Sequence, residues 1–238
     1  MKRFKFLSLG FALVITETLL VSCEMTGEGE VINMTFGTEP FTGIVNTISA
    51  DIHLTRAPDR SVEIIAQQNI IDNILLEVKE EILTISFREN ARHYDPININ
   101  ISMPDLSSYD LYGSGNMDMT NAFDTCKTVR MGISGSGSIN ANLTSSSIVY
   151  TVISGSGNIT FKGSSPAQDI RITGSGDMRG FLFNTNQSVV NISGSGYCEV
   201  AAAKALNVTI TGSGDVYYKG QPLIQSSITG SGKIFNAN

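Results

Sequence analysis

Residues 131–141 read Met-Gly-Ile-Ser-Gly-Ser-Gly-Ser-Ile-Asn-Ala, and the parity of that run decides the fold. Met131, Ile133, Gly135, Gly137, Ile139 and Ala141 share one parity, while Ser134, Ser136, Ser138 and Asn140 share the other. Alternation at period 2 is the pattern of a β-strand with one buried face. The central Gly-Ser-Gly recurs at 113–115, 135–137, 155–157, 174–176, 194–196, 212–214 and 230–232, at intervals of 22, 20, 19, 20, 18 and 18 residues. Such a period marks a solenoid, in which each repeat is one unit that buries its apolar face only against its neighbours.

The repeats carry two further columns. Two positions before the first glycine stand Leu111, Ile133, Ile153, Ile172, Ile192, Ile210 and Ile228. Two positions after the second stand Met117, Ile139, Ile159, Met178, Cys198, Val216 and Ile234. No helical period fits residues 108–238. The expectation is a parallel β-helix whose coils stack at ~4.8 Å, with these columns inside. The glycines mark a turn of the wall, or a narrowing with no room for a Cβ.

Residues 40–107 lack the tripeptide but still read as strands, at 44–48, 51–56, 61–67, 74–79, 82–88 and 97–103. Lys79-Glu80-Glu81 and Asp95-Pro96 are turn candidates, and Asn69 to Asn73 fits one helical turn. This region reads either as atypical coils of the same solenoid or as a small β cap on it.

Composition excludes several functions. With 16 Lys+Arg against 22 Asp+Glu the net charge is −6, and no basic block follows residue 5. Nucleic acid is therefore not an expected partner, because phosphate binding needs a basic footprint. Two histidines, His53 and His93, leave little for a metal site. There is no P-loop, no C-x-x-C and no nine-residue calcium-binding β-roll repeat, so no cofactor or metal is expected.

The N-terminus carries an address. Lys2, Arg3 and Lys5 precede an apolar stretch, 6–21, that is too short and too interrupted by Thr16, Glu17 and Thr18 to span a bilayer comfortably. It ends Leu20-Val21-Ser22-Cys23, which resembles a bacterial lipobox. The resemblance implies cleavage after residue 22 and lipid on the Cys23 thiol; the other reading is an ordinary signal peptide with a chance cysteine. Several acyl chains together make a stable anchor. Losing residues 1–22 removes Lys2, Arg3, Lys5 and Glu17 and takes the net charge from −6 to −8. Glu24, Glu28 and Glu30 then follow the anchor, which resembles the surface-export signal of Bacteroidetes lipoproteins, although a solvated acidic tether would look the same.

Taken together, the lipobox, the charged β-rich stretch, Met103-Pro-Asp-Leu106 leading into the first repeat, and Gly-Ser-Gly-Asn/Asp at 113–116, 155–158, 174–177 and 212–215 resemble the head GIN domain family of auto-transporter adhesins. The resemblance covers residues 40–235. It implies a right-handed β-helix and a role in adhesion, and it brings no catalytic residues.

Three groups of residues are candidates for chemistry. Ser114, Ser136, Ser156, Ser175, Ser195, Ser213 and Ser231 form an outward hydroxyl row, one per coil, which suits a regular polymer such as a glycan. Serine also suits a glycine-flanked turn, where it can satisfy nearby backbone groups. Asp177 and Asp215 occupy one repeat position two coils apart, roughly 9–10 Å, near the separation that inverting glycoside hydrolysis wants. Tyr197 lies between them, and no third acid, His or Arg joins them in the repeat alignment, so they read as turn residues. Cys198 sits in the inward column, and Cys126 lies three to four coils away, roughly 15–19 Å, so no disulfide is expected between them.

The chain thus reads as a signal peptide (1–22), an acidic tether (23–39), an N-terminal β region (40–107) and a right-handed parallel β-helix (108–238). Its expected role is a lipid-anchored, surface-exposed outer-membrane adhesin that binds a glycan or a surface protein. The alternatives are a polysaccharide-cleaving enzyme and a structural or sensing component of the envelope. Because the sequence ends six residues past its last Gly-Ser-Gly, with Ile234 and Phe235 close by, either self-association through the C-terminal edge or a partner docking there is also expected. Cys23→Ser should leave the precursor uncleaved and unlabelled by a fatty-acid probe; a mutant that still takes up the probe would overturn the anchor.

Overall fold

A computed structural model describes residues 24–125 and 127–238. Residues 1–22, Cys23 and Cys126 lie outside the described residues. The described residues are nearly all β, with 71% in strands and 3% in helix, and they wind into a parallel β-solenoid of about six turns.

The N-terminal half contains β1 (Met25–Thr26), β2 (Val31–Phe36), β3 (Gly43–Asn46), β4 (Ala50–Arg56), β5 (Ser61–Gln67), α1 (Gln68–Asn73), β6 (Ile74–Lys79), β7 (Ile82–Phe87), β8 (Ala91–Arg92) and β9 (Ile97–Met103). The repeat region contains β10 (Ser108–Gly113), β11 (Asn116–Met119), β12 (Phe123–Thr125), β13 (Val129–Gly135), β14 (Ser138–Ser145), β15 (Ile148–Gly155), β16 (Asn158–Gly174), β17 (Asp177–Gly194), β18 (Tyr197–Gly212), β19 (Asp215–Lys219), β20 (Leu223–Gly230) and β21 (Lys233–Asn236).

These strands form two parallel ladders that meet at the Gly-Ser-Gly corner. One runs β7–β3–β10–β13–β15 and continues through the second halves of β16, β17 and β18 to β20. The other runs β9–β4–β11–β14 and continues through the first halves of β16, β17 and β18 to β19 and β21. The region before residue 107 therefore does two jobs. β3 and β4 make a coil in parallel register under the first repeat, while β2, β5 and β6 run antiparallel and close the end. β6 and β7 join through Glu80 and Glu81, both at positive φ (50° and 61°), as a tight two-residue hairpin requires.

The stretch read as a solvated tether is built into the fold. Met25 and Thr26 pair with Ala91 and Arg92, and Val31–Phe36 pairs along β5. Its glutamates hid this, since Glu24, Glu28 and Glu30 lie beside β1 and β2 rather than in them and read as a solvated linker.

The inward columns are the core. Leu111, Ile133, Ile153, Ile172, Ile192 and Ile210 pair in unbroken register, each 0–2% exposed. Ile228 continues the column in the last coil and is 41% exposed, because β20 pairs only with β18. The second column, Met117 to Val216, is fully buried. Cys198 lies in it between Met178 and Val216 as a free thiol, and burial pushes that thiol well above the ordinary range. Lower down the coil, the rings of Phe161 and Phe183 meet at 5.1 Å.

The two glycines of the corner have different reasons. The first holds a positive φ, as at Gly174 (113°), a conformation that L side chains rarely adopt. The second is pressed from inside. A Cβ at Gly196 would lie 2.6 Å from Ile172 Cγ2 and 2.8 Å from the Gly176 carbonyl oxygen. The Ile column and the glycines therefore specify each other.

Truncating Ile172 to Ala should cost about 2–5 kcal/mol in denaturant unfolding, as for other buried large-to-small changes. Ser175→Ala on the exposed parity should cost less than ~1 kcal/mol. Gly196→Ala should destabilise despite adding only a methyl group, because the neighbouring backbone cannot give way.

Candidate functional site

Past the corner, alternate residues point outward and set up three neighbouring rows. The first is the serine row: Ser114, Ser136, Ser156, Ser175, Ser195, Ser213 and Ser231 are all exposed. Their backbone N–H groups, from Ser136 onward, donate to the first-glycine carbonyl of the preceding coil at 2.8–3.0 Å. Their hydroxyls bond no other group among the described residues. The turn geometry is thus carried by the main chain, and the side-chain hydroxyls are left to face water.

The second row runs Asp51, Asn116, Ser138, Asn158, Asp177, Tyr197, Asp215, Lys233 in continuous register. At its N-terminal end it is internally bonded. Asn116 Nδ2 donates to Asp51 Oδ1 at 2.8 Å, and Ser138 Oγ donates to Asn116 Oδ1 at 2.7 Å. The third row begins His53, Asp118, Asn140, Thr160, Arg179 and ends Glu199, Tyr217, Phe235. Asn140 Nδ2 donates to Asp118 Oδ1 at 2.6 Å.

Toward the C-terminal end the chemistry changes from amide to aromatic. Tyr197 and Tyr217 have ring centroids 5.1 Å apart, and Tyr217 and Phe235 stack at 4.7 Å with planes 21° apart. All three rings are half-buried. They stack along the solenoid axis, so ring edges reach solvent as an apolar ridge beside the serine row. The Tyr197 hydroxyl donates to Glu199 Oε1 at 2.7 Å. Loss of hydration, with the Glu199 carboxylate alongside, pushes the Tyr197 phenol above its ordinary range. Next along the coil, Lys219 Nζ sits 4.6 Å from the Phe181 ring centroid, a cation–π contact.

Asp177 and Asp215 do flank Tyr197 in the second row, but each has structural work. Asp177 Oδ2 pairs with Arg179 at 3.4 Å, and Asp215 Oδ1 accepts the Lys233 backbone N–H at 2.9 Å. Among the described residues no group of three or more His, Cys, Asp or Glu converges as a metal would require. The aromatic ridge is what sequence reasoning missed. Its signal was present, but Tyr197 stands one position after the second glycine and Tyr217 and Phe235 three positions after it. The stack crosses columns, and reading stopped at the second position.

Residues 40–222 match the family described as "putative auto-transporter adhesin, head GIN domain". The chain belongs to this family. Solved structures share the fold. A "putative adhesin" from Bacteroides fragilis superposes with a TM-score of 0.84 at 22% identity, over 89% of this chain and 99% of that one. A "putative lipid binding protein" from Parabacteroides distasonis gives 0.72 at 22% identity, over 90% and 100%. A "putative adhesin" from Parabacteroides merdae gives 0.73 at 20% identity, over 90% and 99%. No curated protein matches the chain.

The raised Tyr197 phenol has a pH consequence. Its contribution to stability is fully present below the ordinary tyrosine value of ~10 and is lost as pH rises through its own higher value. Glu199→Gln should bring one tyrosine ionisation down in a phenolate-absorbance titration and leave the others in place.

Proposed function

We propose that this head GIN protein is a lipid-anchored surface adhesin, held at Cys23, that binds a neutral glycan along the face carrying the serine row and the aromatic ridge. The observation that carries the reading is the Tyr197–Tyr217–Phe235 stack, partly exposed beside an unbroken row of hydroxyls without protein partners. An extended sugar polymer presents apolar C–H patches and hydroxyl groups in regular alternation. Ring edges take the first, and serine hydroxyls, which both donate and accept, take the second.

The charge supports a neutral ligand over a polyanion. At −6 overall, and −8 after loss of residues 1–22, the protein repels a negatively charged polymer at long range. Binding should therefore depend little on salt. The coiled scaffold suits the task, because a rigid β face holds its rows in place without a lid and loses little freedom on contact.

The test is a glycan array probed with the mature protein, followed by calorimetry on any neutral glycan retained. Tyr217→Ala and Phe235→Ala should each weaken binding by at least about tenfold, the effect of losing an aromatic anchor. Ser134→Ala, on the other side of the corner, should have little effect. No retained glycan, or equal binding by both aromatic variants, would overturn the reading.

A further inference from the structure

The first described residues are fastened to the body of the protein by several independent contacts. Met25 N–H donates to the Asn90 carbonyl at 3.0 Å, and Gly27 N–H donates to the His93 carbonyl at 3.2 Å. Asn69, on α1, clamps the same segment from the other side. Its Nδ2 donates to the Thr26 carbonyl at 2.7 Å, and its Oδ1 accepts the Glu28 N–H at 3.0 Å. Glu24 Oε1 pairs with Arg92 Nε at 3.1 Å. Only Glu24 separates Cys23 from β1, so the Cys23 Cα lies no more than about 7 Å from that of Met25.

A lipid on Cys23 would therefore have no slack. Acyl chains buried in a bilayer bring the residues nearest the anchor to its surface, and those residues belong to one end of the solenoid. That end carries apolar groups where a soluble cap would be polar. Val31 is 47% exposed and Met34 38%. An open groove of about 410 Å³ lies between β2 and β6, with Phe36, Leu76 and Val78 in its wall and Glu39, Glu77 and Arg88 giving it a polar side.

We propose that the N-terminal end of the solenoid, formed by β1, β2, β8 and α1, is seated on the membrane surface, with the solenoid axis pointing away from the bilayer. This rests on the Cys23 anchor proposed above. The consequence is directional. The Tyr197–Tyr217–Phe235 ridge belongs to the final coils, so the seating holds it at the far end. Eight ladder steps from β9 to β21, at ~4.8 Å each, place the last coil roughly 38 Å from the cap.

The experiment places a fluorophore, clicked onto an azido amino acid, at position 89 or at position 225 of the mature chain carrying Cys126→Ser. The chain is attached through Cys23 to phosphatidylethanolamine–phosphatidylglycerol vesicles that hold a headgroup acceptor dye. One arm uses the cell-acylated protein. The other couples unacylated protein to a maleimide lipid, Cys198 being buried. Strong energy transfer from 89 and markedly weaker transfer from 225 are expected in both arms. A flexible Gly-Ser spacer inserted after Cys23, or Asn69→Ala combined with Arg92→Ala, should shrink the difference between the two positions. Equal transfer from both positions in the unmodified chain would overturn the seating. Mass analysis of the cell-made protein reports acylation separately, so a missing acyl group removes the anchor reading while the maleimide arm still decides the geometry.

Discussion

Everything in this molecule hangs on a main-chain hydrogen bond at the corner, from each serine N–H to the first-glycine carbonyl of the coil before it. It is joined by a second bond, from the residue after the tripeptide to the second-glycine carbonyl, as from Asp177 N to Gly157 O at 3.1 Å. A solenoid corner is where ladders usually break, leaving polar groups to be satisfied by water or side chains. Here both ladders run through the bend, because the glycines let backbone approach backbone. The interior profits directly, since the second glycine leaves the space that the Ile γ-methyl of the previous coil fills.

This division of labour explains the surface. Because the corner is satisfied by its own backbone, the serine side chains have no structural duty, and the outward rows are free to vary. The second and third rows do vary, from acids, amides and hydroxyls near the cap to aromatic rings at the far end, while the first keeps serine in all seven coils. The inward columns do not, with the aliphatic column interrupted only at its base. There Asn46 pairs with Leu111 in register, is fully buried, and uses its Oδ1 to accept the Ile48 N–H at 3.1 Å, turning the chain from β3 into β4 where no Gly-Ser-Gly is available.

Much of this was legible in the amino-acid order. The parity through Met131–Ala141 and the spacing of the tripeptide identify the coil, the two inward columns and the exposed serine row. The single helical turn was expected at Asn69 to Asn73 and is found as α1. Two features were not legible, for physical reasons. β1 and β2 are made by partners 26 to 66 residues away, so nothing local marks Met25 or Val31 as paired. The aromatic ridge depends on how far each ring leans along the axis, and column-by-column reading of the repeat has no access to that.

Each inner coil touches only the coil on either side, and the Leu111-to-Ile228 pairing keeps the same register through every one of them. Gene duplication or loss of one such unit would therefore leave both ends intact and change only the reach of the molecule, in steps of ~4.8 Å. Length becomes a heritable quantity that can be adjusted without redesigning the cap or the tip.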